Sequence, residues 1–233
     1  MPVSPDFYNP IFYSIIKSPW LLRPFPGLVD IQINYSQLHQ DMFVLSVLDG
    51  KRGGTYLEIG AYEPILISNT YLLESVFGWT GFSLEISNEY AQRHHKMRVN
   101  KCYCQDATIA NYEELIVRSN MREVIDYLSV DADPPPITLA ALKKIPHEKY
   151  KFRVITFEHD YSAGGSAERV ESRKYLSALG YRLIVNDISW GSRVVEDWWV
   201  HPDLTDKAIV EQLRCVDDNI HQHDKYMYGT YRT

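Results

Sequence analysis

Acidic residues fall at the ends of successive apolar runs along this chain. The run YLEIGAYEP (56–64) carries Glu58 just ahead of Gly60 and Ala61, and GFSLEI (81–86) closes on Glu85. The run over 99–104 is followed by Gln105-Asp106-Ala107-Thr108. IDYLSVDADPPPIT delivers Asp131 and Asp133, and FRVITFEHD delivers Glu158, His159 and Asp160. Carboxylates in such places accept hydrogen bonds from hydroxyl and amino groups, and a strand-end Asp, Glu or His can take a proton from a substrate. Small residues such as Gly60 and Ala61 let a ligand approach the backbone. Glu85 lies 25 residues (85 − 60) beyond that turn, where it can accept from a ribose diol, and Asp106 can accept an adenine amino group. Taken singly, each acid reads equally well as a helix cap or a solvated loop residue. The ordered set argues for a ligand site.

Such a set needs a sheet whose strand ends converge. Short apolar runs at 56–59, 81–86, 99–104, 125–130, 152–157 and 181–188 alternate with helix-like stretches. The helices are expected near 69–77, 88–97, 111–119, 138–145, 166–179 and 203–213. This alternation predicts βαβ units and a mainly parallel sheet, and fully apolar pieces such as YLSV and VITF fit strands covered on both faces. In open sheets of this kind, ligands sit at the carboxyl ends of the strands beside the topological switch point. A helix is also expected over 36–48, with Ser36 as its N-cap, and a second can begin near Ser68-Asn69-Thr70.

Three segments follow: a proline- and aromatic-rich arm over 1–34, a catalytic-type domain over 35–215 and a polar tail over 216–233. The 233 residues carry 24 basic and 30 acidic side chains, a net charge of −6 that disfavours nucleic acid as a partner. No run approaches the roughly 20 apolar residues of a membrane span, so a soluble, cytoplasmic protein is expected. The three cysteines lack the zinc-type pairing of two CxxC units, and Cys102 and Cys104, two residues that cannot close a tetrahedral site, are expected to pack from one face of a strand. His94, His95, His147, His221 and His223 are expected to be solvated. A nicotinamide enzyme would need G-x-G-x-x-G leading into a helix. Ala61-Tyr62-Glu63-Pro64-Ile65 follows Gly60 instead, and Glu58 and Glu63 would repel a diphosphate.

The blocks SQLHQDMFVLSVLDGKRGGTYLEIGAYEP, GFSLEI, IDYLSVDADPPPITLAAL and KYKFRVITFEHD, with VEDWWVHP further on, resemble the FkbM-type methyltransferases over roughly residues 36–202. The resemblance implies a Rossmann-like class I methyltransferase fold: a mainly parallel seven-stranded sheet, helices on both faces and an antiparallel edge strand. It implies transfer of methyl from S-adenosylmethionine (SAM) to a hydroxyl of a sugar, glycan or glycosylated small molecule. By position it assigns Glu58, Gly60, Ala61, Ser68, Glu85, Asp106 and Ala107 to the cofactor. Similar sugar O-methyltransferases hold a divalent cation (Mg or Mn) at strand-end acids, which assigns Asp131, Glu158 and His159 to metal binding and catalysis, with His159 alternatively the general base. Period-two alternation complicates this, because it turns His159 to the face opposite Glu158 unless the strand has already ended. A scaffold that keeps the fold without turnover is the competing reading. The acceptor and a homodimer through the aromatic arm stay open.

Overall fold

The computed structural model describes residues 21–229, so most of the expected N-terminal arm lies outside the described residues. Eight strands form one sheet: β1 (Thr55–Ile59), β2 (Thr80–Glu85), β3 (Lys101–Cys104), β4 (Val124–Val130), β5 (Lys151–Glu158), β6 (Arg182–Trp190), β7 (Arg193–Val200) and β8 (His221–Gln222). Their order is β3-β2-β1-β4-β5-β7-β6-β8. The five strands from β3 to β5 run parallel, and β7 is antiparallel to both β5 and β6. This is the class I methyltransferase arrangement, with the switch point between β1 and β4. Two details differ from expectation: the antiparallel strand is interior, and β8 extends the edge by pairing parallel to β6.

Helices fill the connections: α1 (Gln40–Val47), α2 (Tyr71–Ser75), α3 (Asn88–Met97), α4 (Tyr112–Arg118), α5 (Pro135–Lys144), α6 (Tyr161–Gly164), α7 (Ala167–Ala178), α8 (Lys207–Leu213) and α9 (His223–Met227). Among the described residues, no helix is long and apolar enough to cross a membrane. Alternation along each strand sends Tyr56, Tyr127, Val154 and Trp198 to a core shared with α1, where Phe43 stacks on Trp198 at 4.5 Å between ring centroids. Their neighbours Leu57, Leu128, Ile155 and Trp199 enter a second core on the opposite face. Both faces are therefore covered, as the uninterrupted apolar strands require.

α1 starts four residues later than Ser36. The Ser36 hydroxyl donates to Asp41 Oδ1 at 2.6 Å, and the Tyr35 and Ser36 N–H groups donate to Asp41 Oδ2. Ser36 thus anchors the approach, and His39 precedes the helix at φ 65°. Cys102 packs as expected, whereas Cys104, at the end of the sheet's edge strand, is exposed. Residues 216–229 do not behave as a solvated tail. They supply β8 and α9, and they bury Tyr226 and Met227 against the α1 core, with the Tyr226 hydroxyl donating to the Leu213 carbonyl at 2.6 Å. Burying two such side chains stabilises the docked segment by roughly 1.5–3 kcal/mol each.

Candidate active site

Gly60 ends β1 in a left-handed conformation, φ 79°, that a side chain would strain. A Cβ there would also lie 1.6 Å from the Asp131 carbonyl oxygen. The turn is held by Gly60 and Ala61 N–H groups, both donating to the Leu84 carbonyl, and by Asp131 N–H donating to Ile59. Gly60 therefore serves close approach of its own β4 neighbour, which brings the β1 turn and Asp131 together.

Glu85 closes β2 beside this turn and is 8% exposed. Its Oε2 accepts from Tyr62 N–H at 2.8 Å and its Oε1 from Ser87 N–H at 2.7 Å. A carboxylate has about four lone-pair sites, so two remain for a diol. At the end of β3, Asp106 Oδ1 accepts from the backbone and hydroxyl of Thr108, which lower its pKa. Ala107 is nearly buried behind it, and Ile86 and Ile109 present exposed apolar side chains after the two acids.

Two of the residues assigned to the cofactor lie deeper. Glu58 is 2% exposed, accepts from the Ser83 hydroxyl at 2.6 Å, and has a pKa raised by burial. Ser68 is 1% exposed; its Oγ accepts from Tyr71 N–H at the start of α2 and from Arg98 Nη1 at 3.2 Å. Arg98 also pairs with Glu74 at 2.8 Å and donates to Tyr56, Pro64 and Thr70. Both side chains are buried rather than presented to solvent. Ser68 is buried two residues ahead of the α2 N-cap Thr70, its hydroxyl engaged by Tyr71 N–H and Arg98.

At the ends of β4 and β5, Asp131 and Glu158 are close electrostatic neighbours. Burial, and then the repulsion of Asp131, push the Glu158 pKa well up; burial raises Asp131 as well. Directly across from Glu158 on β7 stands Glu196, 3% exposed. Burial raises it to about 8, although Trp198 Nε1–H donates to its Oε1 at 2.5 Å and the Gln40 side chain also bonds it. Glu196 lay unassigned within VEDWWVHP, and only strand pairing reveals it.

His159 goes elsewhere. Alternation persists past the end of β5, and the ring turns to the opposite face with no exposure. Its Nδ1 accepts from Tyr161 N–H at 3.2 Å, so the proton resides on Nε2, which points at Asp197 Oδ1 from 3.5 Å. Burial alone would raise the Asp197 pKa, but Arg173, which donates to both of its oxygens, and the nearby His159 hold it at about 2. Neither nitrogen is left as a general base. The ligand atoms of His159, Asp187 and Asp197 lie close together, but Arg173 pairs with both carboxylates and Arg169 with Asp187, so their charge is already balanced. The expected shell of Asp131, Glu158 and His159 is not assembled, because His159 turns to Asp197 on the face opposite the two carboxylates. These residues do not fit a divalent metal.

Other histidines also depart from expectation. His94, His147 and His221 are buried, His223 is half-buried, and only His95 is exposed. His94 lies against the Ala61 and Tyr62 backbone, where burial and Arg98 lower its pKa to about 4 and keep it neutral. Its place on a charged-looking helix conceals this burial against the turn after Gly60.

The fold and the arrangement of strand-end groups define a class I methyltransferase architecture. No protein-family model matches the chain, and no curated protein does. Solved structures similar in fold include a putative rRNA methylase from Clostridium thermocellum, with 14% identity, 69% of this chain and 92% of that one covered, and a TM-score of 0.48. Human methyltransferase 10 domain containing protein has 13% identity over 70% of this chain and 79% of its own, at a TM-score of 0.47. The N-methyltransferase NodS from Bradyrhizobium japonicum has 11% identity over 70% and 95%, at 0.46.

Proposed function

We propose that this chain is a SAM-dependent O-methyltransferase, akin to the FkbM type, acting on a hydroxyl of a sugar, glycan or glycosylated small molecule in the cytoplasm. The observation that carries the reading is the close approach of the Gly60 turn to Asp131 at the end of β4, with Glu158 at the end of the adjacent β5. Gly60 and Ala61 would face the methionine part of the cofactor, Glu85 the ribose, and Asp106 with Ala107 the adenine. When bound, SAM supplies an electrophilic methyl on a sulfonium, a cation that this acidic surround suits.

A neutral hydroxyl is a weak nucleophile, and its proton must leave as the O–C bond forms. The carboxylate pair accepts that proton, and its raised pKa makes it a stronger base than an ordinary surface acid. Glu196, protonated at neutral pH, adds no charge beneath the pair. His159 acts as a positioning residue by tying the chain after Glu158 to Asp197. No step is routed through a metal.

Incubation with methyl-labelled SAM and a panel of free sugars, glycans and glycosylated metabolites tests the reading. Transfer to a hydroxyl should fall by roughly 10²–10⁴-fold in Asp131→Asn and Glu158→Gln, with S-adenosylhomocysteine binding retained. Labelling of nitrogen, or undiminished transfer in both variants, would defeat the assignment.

A further inference from the structure

A second constellation lies on the far side of the sheet edge, in the loop joining α8 to β8. Its ends are fixed to β6: Cys215 N–H donates to Ile184 at 2.8 Å, and His221 pairs in register with Ile188. Its middle is held by Asn186, a 3% exposed residue whose amide donates to the Asp217 carbonyl at 3.0 Å and accepts from Asp217 N–H at 3.1 Å. Within this clamp, His221 Nε2 lies 3.2 Å from Asp217 Oδ1 and 3.9 Å from Cys215 Sγ. Ligand atoms of all three lie within 4.8 Å of one another. They line an open cavity of about 440 Å³ together with Leu22, Tyr226 and Gly229.

We propose that Cys215, Asp217 and His221 form a binding site for a zinc-class divalent ion, separate from the methyl-transfer site. Tetrahedral zinc with ordinary bond lengths sets nitrogen and oxygen ligands about 3.3 Å apart and nitrogen and sulfur about 3.5 Å apart. The observed Nε2–Oδ1 edge matches the first; Cys215 Sγ, 3.8 Å from Nδ1 and 3.9 Å from Nε2, would have to move a few tenths of an ångström toward Nε2, within a small χ1 rotation. The mixed sulfur, nitrogen and oxygen donor set selects a borderline ion over magnesium or calcium. Asn186 supplies the outer support that fixes ligand orientation. Binding displaces the Cys215 thiol proton to solvent, and the cavity offers room for a water as fourth ligand. The ion would clip β8 and α9, and with them the buried Tyr226 and Met227, onto the sheet.

Cobalt(II) titration of the full chain tests this, because a thiolate-to-cobalt charge-transfer band reports cysteine ligation directly. The expected result is a band that saturates at one equivalent, is displaced by zinc, persists in Cys104→Ser and is absent in Cys215→Ser. Asp217→Asn alters a half-exposed side chain, so the fold survives, and affinity should fall at least about 10-fold. Absence of the band in the folded wild type, its persistence in Cys215→Ser, or unchanged affinity in Asp217→Asn would overturn the proposal. None of these readings depends on methyl transfer.

Discussion

Replacing Glu196 with Gln tests the electrostatics at the sheet's polar face without disturbing its shape. The amide oxygen can still accept from Trp198 Nε1–H, so packing and hydrogen bonding persist while the titratable proton disappears. Glu196 is raised from 4.5 to about 8 in the folded chain. A raised folded pKa contributes stability that is fully present below the unfolded value and is lost as pH climbs through the folded value. The window is therefore about pH 4.5 to 8. At 1.36 kcal/mol per unit, a shift of about 3.5 units corresponds to at most about 5 kcal/mol. For a chain of this size that is roughly 10–20 °C in melting temperature. The assay is thermal or urea denaturation of wild type and Glu196→Gln at pH 5 and pH 8.5. The variant should match wild type at the lower pH and exceed it at the higher one. Asp131 and Glu158 titrate in both proteins, and their repulsion with Glu196 is removed in the variant, so the difference reports Glu196 together with that coupling. Parallel stability profiles across the window would refute the reasoning.

The remaining predictions concern the turn, its support and the carboxylate pair. Gly60→Ala should destabilise by at least about 3 kcal/mol in thermal denaturation, because strain at positive φ adds to a clash with the Asp131 carbonyl. Arg98→Met should cost about 3–5 kcal/mol in urea titrations, since it leaves Glu74 buried without its partner, and a loss below 1 kcal/mol would contradict the assigned network. With an acceptor in hand, kcat/KM should rise with pH through an apparent value above the usual carboxylate range, reflecting the raised Asp131–Glu158 pair; a profile flat down to pH 5 would contradict their role as base.

Sequence patterning located the architecture well because a covered parallel sheet writes itself as short apolar runs. Gly60, Glu85, Asp106, Asp131 and Glu158 were visible for the same reason, each standing where a run stops. Glu196 was hidden because its significance depends on β7 lying antiparallel beside β5, a long-range pairing that local spacing does not encode. His159 was misassigned by proximity to Glu158, although period-two alternation already pointed it to the other face. The burial of Ser68 and His94 is not legible in the sequence, because it depends on partners brought by the fold, Arg98 and the start of α2 for Ser68 and the loop after Gly60 for His94. The 216–229 segment read as polar because Tyr226 and Met227 are isolated apolar residues whose partners, Trp198 and α1, come from elsewhere in the chain.

Isothermal titration of the full chain with SAM and with S-adenosylhomocysteine bears most directly on the assignment of this site. The account predicts saturable binding of both at one equivalent, abolished by Glu85→Ala and preserved in Asp131→Asn. A properly folded protein that binds neither compound would contradict it.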